Sequence, residues 1–188
     1  MNRNIVESEI EQSFGRTVFN HKVHEKQAEI YQKYTTICEI VTIALASLTS
    51  SGLIAILFAD EFWLKMVSAI VSLLSTGFNL YTQKFNYGAL KKENKICAHK
   101  WLSLRQEYTL LLTDIRAGVL TDEQIIVRRN ELNSLYQENA TISPQTTDKA
   151  YKKAQESLDI RNDNFISLDI INSYLPSEIR RNNNNGNS

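Results

Sequence analysis

The 188-residue chain is poor in three residue types, with 2 Cys, 2 Pro and 6 Gly, and it has no net charge, 21 Lys+Arg standing against 21 Asp+Glu. Each shortage excludes something. Two cysteines cannot make the framework of a disulfide-rich secreted domain. Zero net charge removes the long-range pull of a basic nucleic-acid binder, so no direct nucleic-acid partner is expected. Glycines this few and scattered leave no phosphate-cradling loop, and no G-x-S-x-G elbow is present. A secretory signal is also missing: Met1 to Glu11 alternates charged and polar groups with single apolar ones, and no apolar h-region follows promptly. What is there is 43% hydrophobic, enough to cover the entropy of ordering, in a length that suits one medium domain.

The averages hide a segregation. From Ile40 to Ala59 (IVTIALASLTSSGLIAILFA) there is no charged residue. About 20 helical residues rise about 30 Å, the thickness of a bilayer hydrocarbon core. A second uncharged run, MVSAIVSLLSTGFNLYTQ, goes from Met66 to Gln83 and is extended by Phe62, Trp63 and Leu64, with Lys65 able to snorkel. A buried hairpin in a soluble protein is the competing reading. Against it, both runs are apolar on all faces where a soluble helix carries a polar stripe. They also stand back to back, and aromatic residues flank them: Phe62 and Trp63 at one end, Tyr81, Phe85 and Tyr87 at the other.

Basic residues flank the hairpin on one side: Lys22, Lys26 and Lys33 before it, and Lys84, Lys91, Lys92, Lys95 and Lys100 after it. The turn between the runs holds Asp60 and Glu61. The positive-inside rule then predicts a multi-pass protein with both termini in the cytoplasm and the turn outside. Cys38 and Cys97 both fall on the cytoplasmic side and are expected to be reduced.

The expected fold is all-α, a transmembrane hairpin with long cytoplasmic helical extensions and a small helical C-terminal part. The divisions are an N-terminal segment (1–16), a juxtamembrane helix (17–36), span 1 (37–59), an outer loop (60–65), span 2 (66–83), a cytoplasmic helix (84–117), a C-terminal helical region (118–181) and a disordered tail (182–188). Val23, Ile30, Tyr34, Ile37 and Val41 share one face of the juxtamembrane helix, with Gln27 the one polar member. After the second span, Tyr87, Leu90, Asn94, Cys97, Trp101, Leu104, Tyr108, Leu111 and Ile115 form an a/d series of about four heptads. Asn94 is then a buried polar position that sets register. The seam can pair with the helix before span 1 or with another subunit. The helix should stop near Ala117-Gly118. Thr121 and Gln124 form a capping box opening a helix to about Asn139, Ser143-Pro144 is a turn, another helix runs from about Thr147 to Ile160, and Leu175-Pro176 ends or kinks the mixed segment from Phe165 to Arg181.

No constellation for catalysis stands out, so the chain is read as not an enzyme, with no cofactor and no metal. His21, His24 and Glu25 make H-x-x-H-E, but a zinc protease helix needs its histidines at i, i+4 with Glu after the first; solvated helix faces near lipid headgroups account for them. Asp114, Asp122 and Glu123 do not build an acid/base pair. The spans offer a polar stripe instead. Ser68, Ser72, Ser75 and Asn79, with Thr76 alongside, follow one face of span 2, and Ala44, Ser47, Ser51 and Ala55 make a small-residue face on span 1. Small residues let helices approach in lipid and hydroxyls bond across the contact. Both stripes could serve packing alone; alternatively the small face packs the hairpin, several hairpins assemble, and the hydroxyls and amide line a lumen that is weakly ion-selective.

The order of these pieces resembles the SLATT family, the SMODS and SLOG-associating two-transmembrane effector domains. The resemblance covers about Arg16 to Arg181. It rests on the helix entering span 1 (AEIYQKY), the stretch from Phe85 (FNYGALKKENKICAHKWLSLRQEY), the stretch from Pro144 (PQTTDKAYKKA) and the final Leu-Pro. What it implies is an effector of bacterial antiphage conflict systems that oligomerises in the inner membrane and perforates it, causing abortive infection. A separate sensor would trigger it, a nucleotide second-messenger synthase or a reverse transcriptase. The partners expected are membrane lipid, further copies of the chain and that sensor. The alternative is a non-conducting membrane anchor that scaffolds a cytoplasmic partner through the seam residues Asn94, Trp101, Leu104, Tyr108 and Leu111.

Overall fold

In a computed structural model of the protein, residues 2–58, 61–158 and 166–181 are described. Those residues are mostly helical and contain no strand. The order is α1 (Arg3–Phe58), α2 (Phe62–Phe85), α3 (Tyr87–Ala117), α4 (Asp122–Ile142), α5 (Asp148–Leu158), α6 (Leu168–Ser173) and a 3-10 turn at Ser177–Ile179. They form two compact units, one of residues 29–92 and one of residues 1–28 with 93–188.

The 29–92 unit is a helical hairpin. On α1 the half-buried positions are Tyr31, Thr35, Cys38, Thr42, Leu45, Thr49, Gly52 and Ile56, at alternating steps of four and three; Val41 and Ala55 are half-buried beside them. On α2 they are Leu64, Ser68, Val71, Ser75, Phe78 and Thr82 in the same rhythm, the seam by which two helices pack at a shallow angle. The remaining faces point outward and carry many large apolar side chains: Leu57 is 81% exposed, Phe58 86% and Leu73 74%. Each such side chain forgoes about 1.5–3 kcal/mol of burial if it faces water. Helix α2 ends at Asn86, which takes the left-handed conformation (φ 35°, ψ 58°) and donates its N–H to the Thr82 carbonyl at 3.0 Å. Its Oδ1 accepts the Ala89 N–H at 3.1 Å, so one residue closes α2 and opens α3. Asparagine tolerates this backbone because its short amide bonds locally.

The other unit has a core of buried side chains from the first half of α1 (Ile10, Phe14, Val18, Phe19, Val23), from α3 (Cys97, Trp101, Leu104, Tyr108, Leu111, Leu112, Ile115) and from α4, α5 and the C-terminal turns. The sequence reading treats 1–16 as a separate segment and begins the helix at Thr17, whereas α1 begins at Arg3 and Ile10 and Phe14 are fully buried. The expected outer loop, 60–65, is shorter than read, since α2 starts at Phe62; Asp60 lies outside the described residues. Gly118 takes φ 71° just past α3, a left-handed helix end that suits glycine. Both halves of the capping box at Thr121 and Gln124 are formed, and α4 then runs to Ile142. Helix α5 ends at Leu158; the expected continuation to Ile160, the start of the 165–181 segment and the tail reading for 182–188 fall outside the described residues. Gly15 admits Ile166: a Cβ there would sit 3.1 Å from its side chain. Gln12 holds the same residue with Nε2 to its carbonyl (3.0 Å) and Oε1 from its N–H (3.3 Å).

Candidate functional site

Three places in the fold bring polar side chains together. The first is the hairpin. Of the stripe on α2, Ser68 and Ser75 are half-buried in the row facing α1, while Ser72, Thr76 and Asn79 are exposed on the outer side. The structure therefore divides the stripe between two faces. Thr76 Oγ1 donates to the Ser72 carbonyl (3.0 Å). That satisfies the hydroxyl locally where lipid offers no partner. On α1, Ala44, Ser47 and Ser51 are exposed and Ala55 half-buried. The closest approach is instead at Gly52, where a Cβ would lie 2.7 Å from Ser68 Oγ. Gly52 is the contact residue that sequence reasoning missed. Its signal was a glycine in register with Thr42, Leu45 and Thr49.

The second place is the seam. Asn94, Trp101, Leu104, Tyr108 and Leu111 are all buried, Trp101 to 1% exposure. His24 Nδ1 donates to Asn94 Oδ1 at 3.0 Å. His24 was read as a solvated headgroup-facing residue; it is buried, because α1 and α3 face each other here. Burial pushes its pKa below the usual histidine value, against the opposing effect of the Asn94 hydrogen bond. Gln27, the odd polar member of the α1 series, is fully buried and accepts from Thr147 N–H and Oγ1, both at 2.8 Å, pinning the start of α5. Trp101 Nε1 donates to Ser143 Oγ (3.1 Å), and Cys97 Sγ lies 3.0 Å from the same oxygen. Burial raises the Cys97 pKa, keeping it a thiol.

The third place was not read from the sequence. Glu7 and Glu11 of α1 meet Arg116 of α3 and Arg181 near the C-terminus. Arg116 Nε reaches Glu7 Oε1 at 2.8 Å and its Nη2 pairs with Glu11; Arg181 reaches Glu7 at 3.1 Å and Glu11 at 3.2 Å. Asn172 clamps Arg181 with Nδ2 to its carbonyl (2.8 Å) and Oδ1 from its N–H (3.0 Å). Glu11 is 1% exposed, and burial pushes its carboxyl above the usual range in spite of the pull of both arginines. Burial acts the same way on Glu7, but the Arg116 hydrogen bond and Arg181 charge outweigh it and hold Glu7 below the usual range. This arrangement is a structural clamp that ties the start of α1 to the end of α3 and to Arg181, with Glu11 Oε2 and Arg116 Nη1 left buried without a hydrogen-bond partner among the described residues.

Fold and surface together define an all-α protein with two helices long and apolar enough to cross a membrane, and no residue in the most apolar stretch of either is buried. Residues 6–169 match the SMODS and SLOG-associating 2TM effector domain family 4, and the chain belongs to that family. It is thus a two-transmembrane effector domain of the kind associated with conflict systems. No curated protein and no solved structure matches the chain.

Proposed function

We propose that this protein is a membrane effector of antiphage immunity that assembles from several copies and opens a pore in the bacterial inner membrane when a partner sensor or nucleotide signal activates it. The observation that carries the reading is the outer face of the hairpin. On α2 that face is largely apolar through the middle of the span, with Ser72, Thr76 and Asn79 lined up about one turn apart and facing away from α1. In an assembly of hairpins these three line the lumen, the exposed Ala44, Ser47 and Ser51 let neighbouring copies approach, and Ser68 and Ser75 hold the hairpin together. In this reading both termini and the 1–28/93–188 unit lie in the cytoplasm, which the positive-inside rule applied to the flanking lysines supports. Catalysis plays no part. The test is the double variant Ser72→Leu/Asn79→Leu. It should insert as well as wild type and lose toxicity; undiminished toxicity would remove these residues from the lumen.

A second reading is a non-conducting anchor for a cytoplasmic partner. It is favoured by the 550 Å³ groove between α3 and α4, lined by exposed Leu110 and Val127 and edged by Glu107, Asp114, Glu123 and Glu131. Replacing the spans with an unrelated hairpin separates the two: a scaffold keeps its function and a pore loses it.

A further inference from the structure

The 29–92 unit holds a cavity of about 390 Å³ at the joint where α2 ends and α3 begins, lined by Thr35, Cys38, Glu39, Thr42, Thr82, Asn86 and Tyr87, with Ile43 and Gly88. The volume lies in the range of small-molecule sites, about 300–1,000 Å³. Its lining is unusual for this end of the hairpin. The surrounding sequence is rich in lysine, yet the one charged side chain in the cavity is the Glu39 carboxylate. Around it stand threonine hydroxyls and an aromatic face. Thr35 and Thr82 already donate their hydroxyl hydrogens to the Tyr31 and Asn79 carbonyls (both 2.9 Å), so toward the cavity their oxygens can only accept. Tyr87 packs with Tyr34 at 5.3 Å and Tyr31 at 6.2 Å between ring centroids. Acceptors, one carboxylate and the Tyr87 ring are the chemistry that takes up a cation. The same carboxylate repels phosphate, so this is not where a nucleotide signal enters.

We propose that this cavity binds a small organic ammonium, such as an ethanolamine headgroup, with Glu39 as its counter-charge. Glu39 stands at the edge of the uncharged run, where an unpaired carboxylate is costly and a cationic partner relieves that cost. The ligand touches α1 through Glu39 and Thr42, α2 through Thr82, and α3 through Tyr87. It also touches Asn86, whose left-handed backbone makes the break. Occupancy therefore stabilises one geometry of the joint between the last turn of α2 and the first of α3.

Cys38 lines the cavity and is partly exposed, whereas Cys97 is buried, so Cys38 reports on occupancy. The full chain is placed in nanodiscs of phosphatidylglycerol alone or mixed with phosphatidylethanolamine, and alkylation of Cys38 by N-ethylmaleimide is followed by mass spectrometry. The ethanolamine lipid should slow alkylation about tenfold, the scale of one hydrogen bond to a charged group. Glu39→Gln should abolish the difference. Thr42→Leu, which fills the cavity and spares the charge, should do the same. A parallel arm in lipid-free micelles adds free ethanolamine: protection there with none from the lipid identifies a soluble amine as the ligand. Protection in neither arm, or equal protection in Glu39→Gln, overturns the proposal. The lipid arm rests on the membrane reading. Failure to enter nanodiscs would sink that reading alone, leaving the micelle arm to decide the cavity.

Discussion

Gly52 of α1 and Ser68 of α2 are in direct apposition, so close that a Cβ on Gly52 would sit 2.7 Å from Ser68 Oγ and 3.4 Å from Ser68 Cβ. This contact sets how near the two apolar helices come. Alanine at 52 meets only the rotatable hydroxyl, and turning it relieves the clash. Leucine meets the Ser68 backbone side and must push the helices apart, at a cost of about 1–3 kcal/mol. Thermal unfolding in detergent should show Gly52→Ala near wild type and Gly52→Leu clearly lower.

The four-charge clamp predicts an asymmetric mutation series. Arg116→Ala leaves the buried Glu11 with Arg181 but without its more buried cation, and should cost about 3 kcal/mol. Glu11→Gln in the Arg116→Ala background should recover part of that loss, because it removes a buried charge that Arg181 alone offsets incompletely. Arg181→Ala leaves Arg116 in place and should cost less than Arg116→Ala. Chemical denaturation of the three variants checks the order.

The buried His24 predicts a pH dependence with a definite sign. Its pKa in the folded chain lies below the unfolded value of 6.5, so the unfolded chain takes up the proton first. Stability is therefore full above 6.5 and is lost as pH falls through 6.5 toward the lowered folded value. His21 shifts the same way, with burial as the largest cause. Glu11, raised above 4.5, has the opposite slope: its contribution fades as pH rises through its folded pKa. The drop in melting temperature between about pH 7.5 and about pH 5.5 should shrink in His24→Gln, which keeps a donor for Asn94. An equal drop in that variant would contradict the assignment.

Gly15→Ala should loosen the C-terminal segment. Its Cβ would meet three side-chain atoms of Ile166 at 3.1–3.2 Å, so Ile166 must give by a few tenths of an ångström, which strains its Gln12 bonds. The cost should be about 1 kcal/mol. Hydrogen exchange at Ile166 should rise, with the core amides of α3 unchanged.

The hairpin was legible in the sequence because charge-free runs and their lysine flanks are local signals that need no partner to be seen. So was the end of α3 at Gly118 and the capping box at Thr121, where a few adjacent residues decide the geometry. The first turns of α1 were not. Glu7, Glu9 and Glu11 look like a solvated acidic stretch until Arg116 and Arg181 are placed beside Glu7 and Glu11, more than a hundred residues away in sequence. The meaning of the small and polar stripes was also hidden. Serines at helical spacing share a face only approximately, and the packing of α1 on α2 decides that Ser68 and Ser75 turn inward while Ser72, Thr76 and Asn79 turn out. His24 looked like polar surface and Gln27 like a lone polar residue in an apolar row, because their partners, Asn94 and Thr147, are distant in sequence.

The central claim is that assembled hairpins conduct. Membrane potential, read with a voltage-sensitive dye in bacteria that express the chain under activating conditions, tests it most directly. Wild-type protein should collapse the potential, and Ser72→Leu/Asn79→Leu, present in the membrane at equal level, should leave it intact. An unchanged potential with wild-type protein in the membrane fraction, or equal collapse by the double variant, would contradict the account.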